Sequence, residues 1–264
     1  MGNTEVTQGD IPLRDMESNA VSRFSKAFEA RFDTTHGEER AGWANTTLGA
    51  QDTEFADHLV AANARFAIIE FKATLEAIRT EAGKDLRKKL FNELALRRDF
   101  LRRCLDLHMI CWSTIETHQP AGYPIPIHEE IDLLNRYAVK VARFLKVDLQ
   151  LKADRDMSTE KFLDRFIGAR IVGGTYKRFK KYLDELGAIA GGVSGDSSTI
   201  QGMVFVYLPG DEKAPGRYAH ARFRGLEELN LLMQPLGIEK DHQLQRSKNL
   251  ERDTPSDRSF GPSF

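Results

Sequence analysis

The run Arg65-Phe-Ala-Ile-Ile-Glu-Phe-Lys72 constrains this chain more than any other feature. It is short, nearly continuous in apolar residues and rich in Ile and Phe, the pattern of a central strand covered on both faces. Side chains alternate along a strand. Glu70 and Lys72 therefore share one face, and Ile69 and Phe71 share the other. A carboxylate and an ammonium on such a strand need partners, because burying charge without them is costly.

The remaining segments arrange themselves around this strand. Val21, Phe24, Phe28 and Phe32 recur at steps of three and four, predicting a helix with an aromatic face. Residues 33–49 read as polar and turn-rich, anchored by Trp43. Residues 54–60 read as a strand that pairs with 65–72 through a tight turn near Asn63. Leu75, Ile78, Leu86, Leu90, Leu94, Leu101 and Leu105 stay roughly in phase, predicting a long helical stretch over 73–106 with a break at Gly83. Residues 107–113 read as another buried strand. Strand–strand–helix–strand is the start of an α/β core with one crossover.

Residues 119–126, rich in proline, form a connector and the best internal boundary. Beyond it the patterns predict a helix over 129–146 and a second, capped by Ser158, running to about Ile171. Gly173-Gly174 breaks that helix, and a basic helix follows over 175–187. A Gly/Ser loop over 191–198, a strand over 200–208 and an amphipathic helix over 224–236 complete the expectation. The predicted division is a flexible lead (1–18), a core (19–118), a helix-rich completion or accessory region (119–240) and a disordered polar tail (241–264).

Composition excludes several classes. The 264 residues are 41% hydrophobic and 29% charged, which is globular rather than disordered. No apolar run approaches a membrane span, and residues 1–20 lack the pattern of a secretory leader. Two cysteines, Cys104 and Cys111, allow no disulfide framework and no cysteine-based zinc cluster. A cytoplasmic protein without a membrane partner is the expectation. The net charge of −1 conceals an uneven distribution. Residues 1–60 hold five basic and eleven acidic side chains, 61–110 hold eleven and seven, and 160–181 hold seven and two. A chain neutral in sum can still present a basic groove.

The chemistry centres on three residues. Asp57 lies 13 residues before Glu70, on the predicted neighbouring strand. Two carboxylates converging there would make a hard oxygen site suited to Mg²⁺ or Mn²⁺, and the Phe71 backbone carbonyl would add a third oxygen. Lys72 beside such an ion would orient a water. An acid on one strand, acid-x-Lys on the next and then a helix resembles the PD-(D/E)xK nuclease superfamily, over about residues 20–115. Ala56 stands where that family often has proline. The resemblance implies a restriction-endonuclease-like α/β core, a mixed central sheet flanked by helices, with a helix-rich C-terminal region. It also implies phosphodiester hydrolysis, DNA favoured, with Asp57, Glu70 and the Phe71 carbonyl on the metal, Lys72 at the water, and Glu29 as the acid such enzymes often supply from the preceding helix.

Other features rank lower. His58 should point away from Asp57, as a core or interface histidine. Cys104, His108 and Cys111 read as buried soft residues, Asp85, Lys88 and Lys89 as a solvated helix face, and 191–196 as a turn rather than a phosphate loop. Arg165, Arg170, Lys177, Arg178, Lys180 and Lys181 are candidate phosphate contacts. The interleaved Tyr176, Phe179 and Tyr182 read either as stacking platforms or, more in keeping with helical spacing, as core. The expected protein is a metal-dependent nuclease, of the kind that serves as an anti-phage defence effector, held in check by a regulatory partner or a homo-oligomer. The alternatives are a non-catalytic nucleic-acid-binding or sensor protein that uses Glu70 and Lys72 as an ion pair, and an interaction subunit of a larger complex.

Overall fold

A computed structural model describes residues 13–36, 42–47, 58–152, 154–191, 200–208 and 217–233. The chain opens with helix α1 (Leu13–His36), followed by strands β1 (Trp43–Thr47), β2 (His58–Ala62) and β3 (Arg65–Lys72). These strands form an antiparallel meander, with Ala62 opposite Arg65 at the β2–β3 turn. That turn has two residues, Asn63 and Ala64, both at positive φ (50° and 58°), the geometry that matches the twist of a two-residue hairpin.

The chain then runs through a 3₁₀ helix (Glu76–Gly83) and helices α2 (Asp85–Leu96) and α3 (Arg98–Leu107) into β4 (His108–His118). Strand β4 is parallel to β3, with Ile68 opposite His108 and Lys72 opposite Trp112. The long helical stretch read from the leucine phase is thus three helices, and it does break at Gly83. Next come β5 (Ile127–Arg136), α4 (Tyr137–Leu145), β6 (Met157–Ser158), α5 (Thr159–Leu163) with a π-helical turn at Asp164–Gly168, and β7 (Gly174–Thr175). Helix α6 (Tyr176–Ala190), β8 (Gln201–Leu208), β9 (Arg217–Arg224) and α7 (Gly225–Leu232) close the described chain. The sheet order is β6-β5-β4-β3-β2-β1-β8-β9, and β7 pairs with the start of β3. The fold is mixed α/β, a central sheet flanked by helices.

Two apolar layers enclose the sheet. One face meets α2, α3, α4 and α6 through Phe66, Ile68, Ile110 and Trp112 packed on Leu90, Leu94, Tyr137 and Tyr182. The other meets α1 and α5 through Ala67, Ile69, Phe71 and Met109 packed on Phe24, Phe28 and Phe162. The predicted aromatic face of α1 is the one buried here, with Phe24, Phe28 and Phe32 fully enclosed. Gly173 lets β7 approach: its φ is +77°, and a Cβ there would sit 2.6 Å from the Phe166 ring.

Several segments differ from the sequence-based expectation, among them β9, a strand the pattern did not announce. Residues 129–136 belong to β5, not to a helix, because they pair along β4 from Met109↔Arg136 to His118↔Ile127. Long-range pairing outweighs the local helical pattern there. The Pro-rich segment 119–126 is the connection of this hairpin. Within the stretch read as turn-rich, Trp43 begins a strand and stacks on Phe205 at 3.8 Å. Ser158 does cap α5, its Oγ accepting from the Lys161 backbone N–H.

Candidate functional site

Alternation along β3 sends Phe66, Ile68, Glu70 and Lys72 to the face covered by α2, α3, α4 and α6. Glu70 and Lys72 lie at the strand's C-terminal end. The 3₁₀ helix that follows turns Glu81 back over them, Lys84 occupies the junction with α2, and the first turn of α2 supplies Arg87. The five side chains form one cluster.

Lys72 Nζ donates to Glu70 Oε1 at 2.6 Å and lies 3.3 Å from Glu81 Oε1. Lys84 Nζ lies 2.6 Å from Glu81 Oε1 and 3.8 Å from Glu70 Oε1. Both ammonium groups therefore bridge the same two carboxylate oxygens. From the other side Arg87 Nε donates to Glu81 Oε2 at 2.6 Å, and its Nη2 lies 3.8 Å from Glu70 Oε2. Tyr137 Oη donates to Glu81 Oε2 at 3.1 Å. Exposure rises through the cluster: the Arg87 and Glu81 side chains are at 0%, Glu70 at 1%, Lys72 at 10% and Lys84 at 40%. The cluster thus opens to solvent at Lys84.

Burial alone would favour neutral Glu81, but Arg87, Lys72 and Lys84 outweigh it and hold its pKa well below the ordinary carboxylate range. Burial likewise opposes charge on Arg87, and its neighbours Tyr137, Glu70 and Glu81 more than restore it. Two fixed carboxylates and three cations sit in a region otherwise built from Leu, Phe and Trp. Buried charges in such numbers are weak devices for stability, since desolvation consumes much of the Coulomb gain. They mark a place where the packing rules yield to something else.

The structure brings together Glu70 and Lys72 of the predicted set, with Phe71 between them and its ring on the opposite face against Phe24. Asp57 lies outside the described residues; β2 begins at the next position, with His58 opposite Ile69. Glu29 is not brought to the cluster. It is exposed on α1, and α1 packs on the other face of the sheet through Phe24 and Phe28, so the sheet stands between Glu29 and Glu70. Glu81, Lys84 and Arg87 escaped the sequence analysis. The signal was there: Arg87 falls three residues before Leu90 and seven before Leu94, on the buried stripe, and Glu81 falls three after Ile78.

The basic segment divides. Lys177 and Lys181 are exposed on α6, and Arg170 is exposed in the turn before β7. Arg178 pairs with Asp106 at 2.5 Å, Lys180 with Asp184 at 2.9 Å, and Arg165 reaches the Met157 sulfur at 3.3 Å. Phe179 and Tyr182 are core residues rather than stacking platforms; Phe179 stacks on Phe66 at 5.5 Å. Tyr176 packs its edge on Phe66.

His58 is a buried histidine of the α1 face, edge-on to Phe71 at 5.1 Å. His108 is buried on the other face, its Nδ1 2.9 Å from Tyr182 Oη and its ring stacked on Tyr137. Both cysteines are buried, and burial pushes the Cys104 thiol up to about 12 and the Cys111 thiol well above its ordinary value, which disfavours the thiolate of each. Gly191 ends α6 with φ +104°, and the rest of 191–196 lies outside the described residues.

Among the described residues, no group of three or more His, Cys, Asp or Glu is placed to hold a metal ion. Glu70 and Glu81 are hard oxygen donors, but the space between their facing oxygens is taken by cations, the Lys72 and Lys84 ammonium groups, with Arg87 on the far side. No described helix is long and apolar enough to cross a membrane. Comparison of the chain with protein-family models, curated proteins and solved structures finds no match.

Proposed function

We propose that this chain is a metal-dependent nuclease of the PD-(D/E)xK kind, hydrolysing phosphodiester bonds, with DNA the favoured substrate. One observation carries the reading: Glu70 and Lys72 adjoin at 2.6 Å at the end of a central strand whose antiparallel neighbour begins one residue after Asp57. The element order supports a restriction-endonuclease-like core. It runs helix, antiparallel meander bearing acid-x-Lys, helical crossover and parallel strand.

Asp57, Glu70 and the Phe71 carbonyl would hold Mg²⁺ or Mn²⁺, and Glu81 joins them as a carboxylate the motif does not include. When bound, the ion supplies Lewis-acid polarisation of the phosphate and a more acidic water. Lys72 has the protein's own part in the reaction. Gripped by Glu70 and Glu81, its ammonium is held in one place and charged, where it orients the attacking water and stabilises negative charge developing on the phosphate. Arg87 fixes both carboxylates from beneath. Arg170, Lys177 and Lys181 are the candidate contacts to the substrate backbone, and binding through them weakens steeply with salt.

A second reading rests on a different observation. Glu70 is wholly buried and already balanced by cations, as a structural ion pair would be. The chain would then bind nucleic acid or act as a sensor without cutting. Incubation of the full chain with plasmid, linear and single-stranded DNA in Mg²⁺ or Mn²⁺ separates the two. Cleavage by the wild type that disappears in Glu70→Ala and in Lys72→Ala supports the nuclease. Equal degradation by wild type and variants overturns it, and no cleavage of any substrate favours the second reading.

A further inference from the structure

We infer that the cavity between the second half of α4 and the loop that follows it is a binding site for a phosphorylated small molecule carrying an apolar ring, in its chemistry a nucleotide. The inference does not rest on the nuclease reading. None of the cavity's lining residues belongs to the charged cluster at the end of β3, and the site would take its ligand whether or not the chain cuts DNA.

The cavity has a volume of about 550 Å³, within the range of sites that hold small ligands. Part of its lining is apolar: Val139 and Ala142 from α4, and Val147, Leu149 and Leu151 from the loop. This wall is anchored. Leu149 is buried in the same core layer as Trp112 and Val141. Lys140, also in the lining, is held in place, its ammonium 2.6 Å from Asp156 and 4.7 Å from the centre of the Trp112 ring. A fixed apolar surface beside an opening of this size suits a ring.

Charge gives the rest of the ligand. Arg143, Lys146 and Lys152 line the same cavity, are exposed, and have no ion-pair partner among the described residues. The acids of the lining are engaged: Asp148 Oδ1 accepts from the Gln150 backbone N–H at 2.8 Å, and Asp154 lies 3.6 Å from Arg136. With Lys140 matched by Asp156 and Arg136 by Asp154, three cations face the single carboxylate of Asp148. Lysine and arginine together, in excess over acids, suit phosphate groups. The C-terminal end of α4 favours cations at Arg143 and Lys146 whatever else they do, but Lys152 lies beyond the helix and gains nothing from it. Lys146 is also held at a steric cost. It caps α4 in the left-handed region, with φ 54°, where glycine is the usual residue. A long cationic side chain kept where none is easily accommodated points to a use outside the fold.

The test is binding without metal. ATP, tripolyphosphate, adenosine and a single-stranded DNA oligonucleotide are titrated into the full chain in EDTA, with affinity read by isothermal calorimetry. The expected result is saturable one-to-one binding of ATP at submillimolar concentration, weaker binding of tripolyphosphate and none of adenosine. Arg143→Gln, Lys146→Gly and Lys152→Gln should each weaken ATP roughly tenfold, about 1.4 kcal/mol. Lys88→Gln, outside the cavity, should leave it unchanged. Melting supplies the second readout. Lys146→Gly should melt no lower than wild type while losing affinity, because glycine takes the positive φ without strain. No ATP binding, or ATP binding unchanged in all three variants, overturns the site. Tripolyphosphate binding as tightly as ATP overturns the place for a ring, and with it the nucleotide. DNA that binds more tightly than ATP through the same three residues overturns the small-molecule occupant and gives the cavity to nucleic acid.

Discussion

The two faces of strand β3 have opposite policies toward charge. Toward α1 and α5 it presents Ala67, Ile69 and Phe71 to a layer of phenylalanines, and a titratable neighbour there, His58, is driven toward its neutral form by burial. Toward α2, α3, α4 and α6 it presents Phe66 and Ile68 and then, at its end, Glu70 and Lys72. There the surroundings hold Glu81 and Arg87 ionised. Glu70, Glu81 and Arg87 are as fully buried as Phe24 and Phe28 on the other face, so burial does not decide the charge state. What decides it is whether an opposite charge was delivered by a neighbouring element. The 3₁₀ helix and α2 deliver Glu81, Lys84 and Arg87, while α1 delivers rings.

The most severe way to break this contrast is to remove Arg87. Its guanidinium lies beneath the two carboxylates, fully buried, 5.8 Å from the Tyr137 ring centre. Lys72 and Lys84 approach from the solvent side and cannot replace it. Arg87→Met keeps the stem but leaves Glu81 with its inner oxygen facing only Tyr137. The expected loss is about 3–5 kcal/mol in urea unfolding at pH 7, the range for stripping one partner from a buried pair. Arg87→Met combined with Glu81→Leu should recover much of it, because two matched apolar groups replace two matched charges. A loss below about 1 kcal/mol for Arg87→Met alone would mean that the charged face is solvated in fact and that the contrast between faces is only apparent.

The apolar face was the more legible in sequence. Phenylalanines at helical spacing in α1 and alternating apolar residues in β3 announce a buried layer without any knowledge of its partner. The charged face was half legible. Glu70 and Lys72 stand out because they interrupt a strand. Glu81, Lys84 and Arg87 do not, because a helical segment full of Lys, Arg and Glu looks solvated unless its phase is followed residue by residue. Glu29 shows the converse error. Its place in the chain matched a motif, but nothing local tells which side of a sheet a helix will take, and α1 took the side away from Glu70. Strand β5 went unread for a related reason, since its partner β4 lies across a connector whose prolines suggest separation rather than a hairpin.

His58 sharpens the comparison from the apolar side. Burial lowers its pKa from 6.5 to about 4. Above pH 6.5 the imidazole is neutral in both the folded and unfolded chain, and its contribution is fully present. As pH falls from 6.5 toward 4, the unfolded chain takes up a proton that the folded chain refuses. Stability therefore drops, by roughly 3 kcal/mol across that interval, and no further below it. Urea unfolding of wild type and His58→Phe at pH 7, 6 and 5 measures this directly, since the carboxylates titrate mostly below that window. The wild type should lose more than the variant at each step. Parallel curves would mean that His58 is reached by water, so that the α1 face tolerates charge after all.

The smallest effect tests whether burial, rather than charge count, separates the regions. At the rim of the α1 face Arg23 meets β5: its Nε and Nη2 donate to the two oxygens of Asp132 at 2.9 and 2.7 Å, it also pairs with Glu130, and Ser113 Oγ donates to Asp132 at 2.8 Å. Asp132 is nearly as buried as Glu70, but the Arg23 side chain is 34% exposed and borders a small open pocket of about 150 Å³ lined by Glu129 and Thr159. Removing Arg23 lets water reach the carboxylate, and Ser113 continues to donate to it. Arg23→Gln should therefore cost about 1 kcal/mol, within the range of part-exposed pairs with good geometry and well short of the Arg87 loss. Adding Ser113→Ala should make the Arg23 change costlier, since the carboxylate then loses both donors from the protein. If Arg23→Gln alone matched Arg87→Met, the number of paired charges rather than the depth of their enclosure would govern stability, and the cluster at the end of β3 would no longer stand apart from an ordinary ion pair.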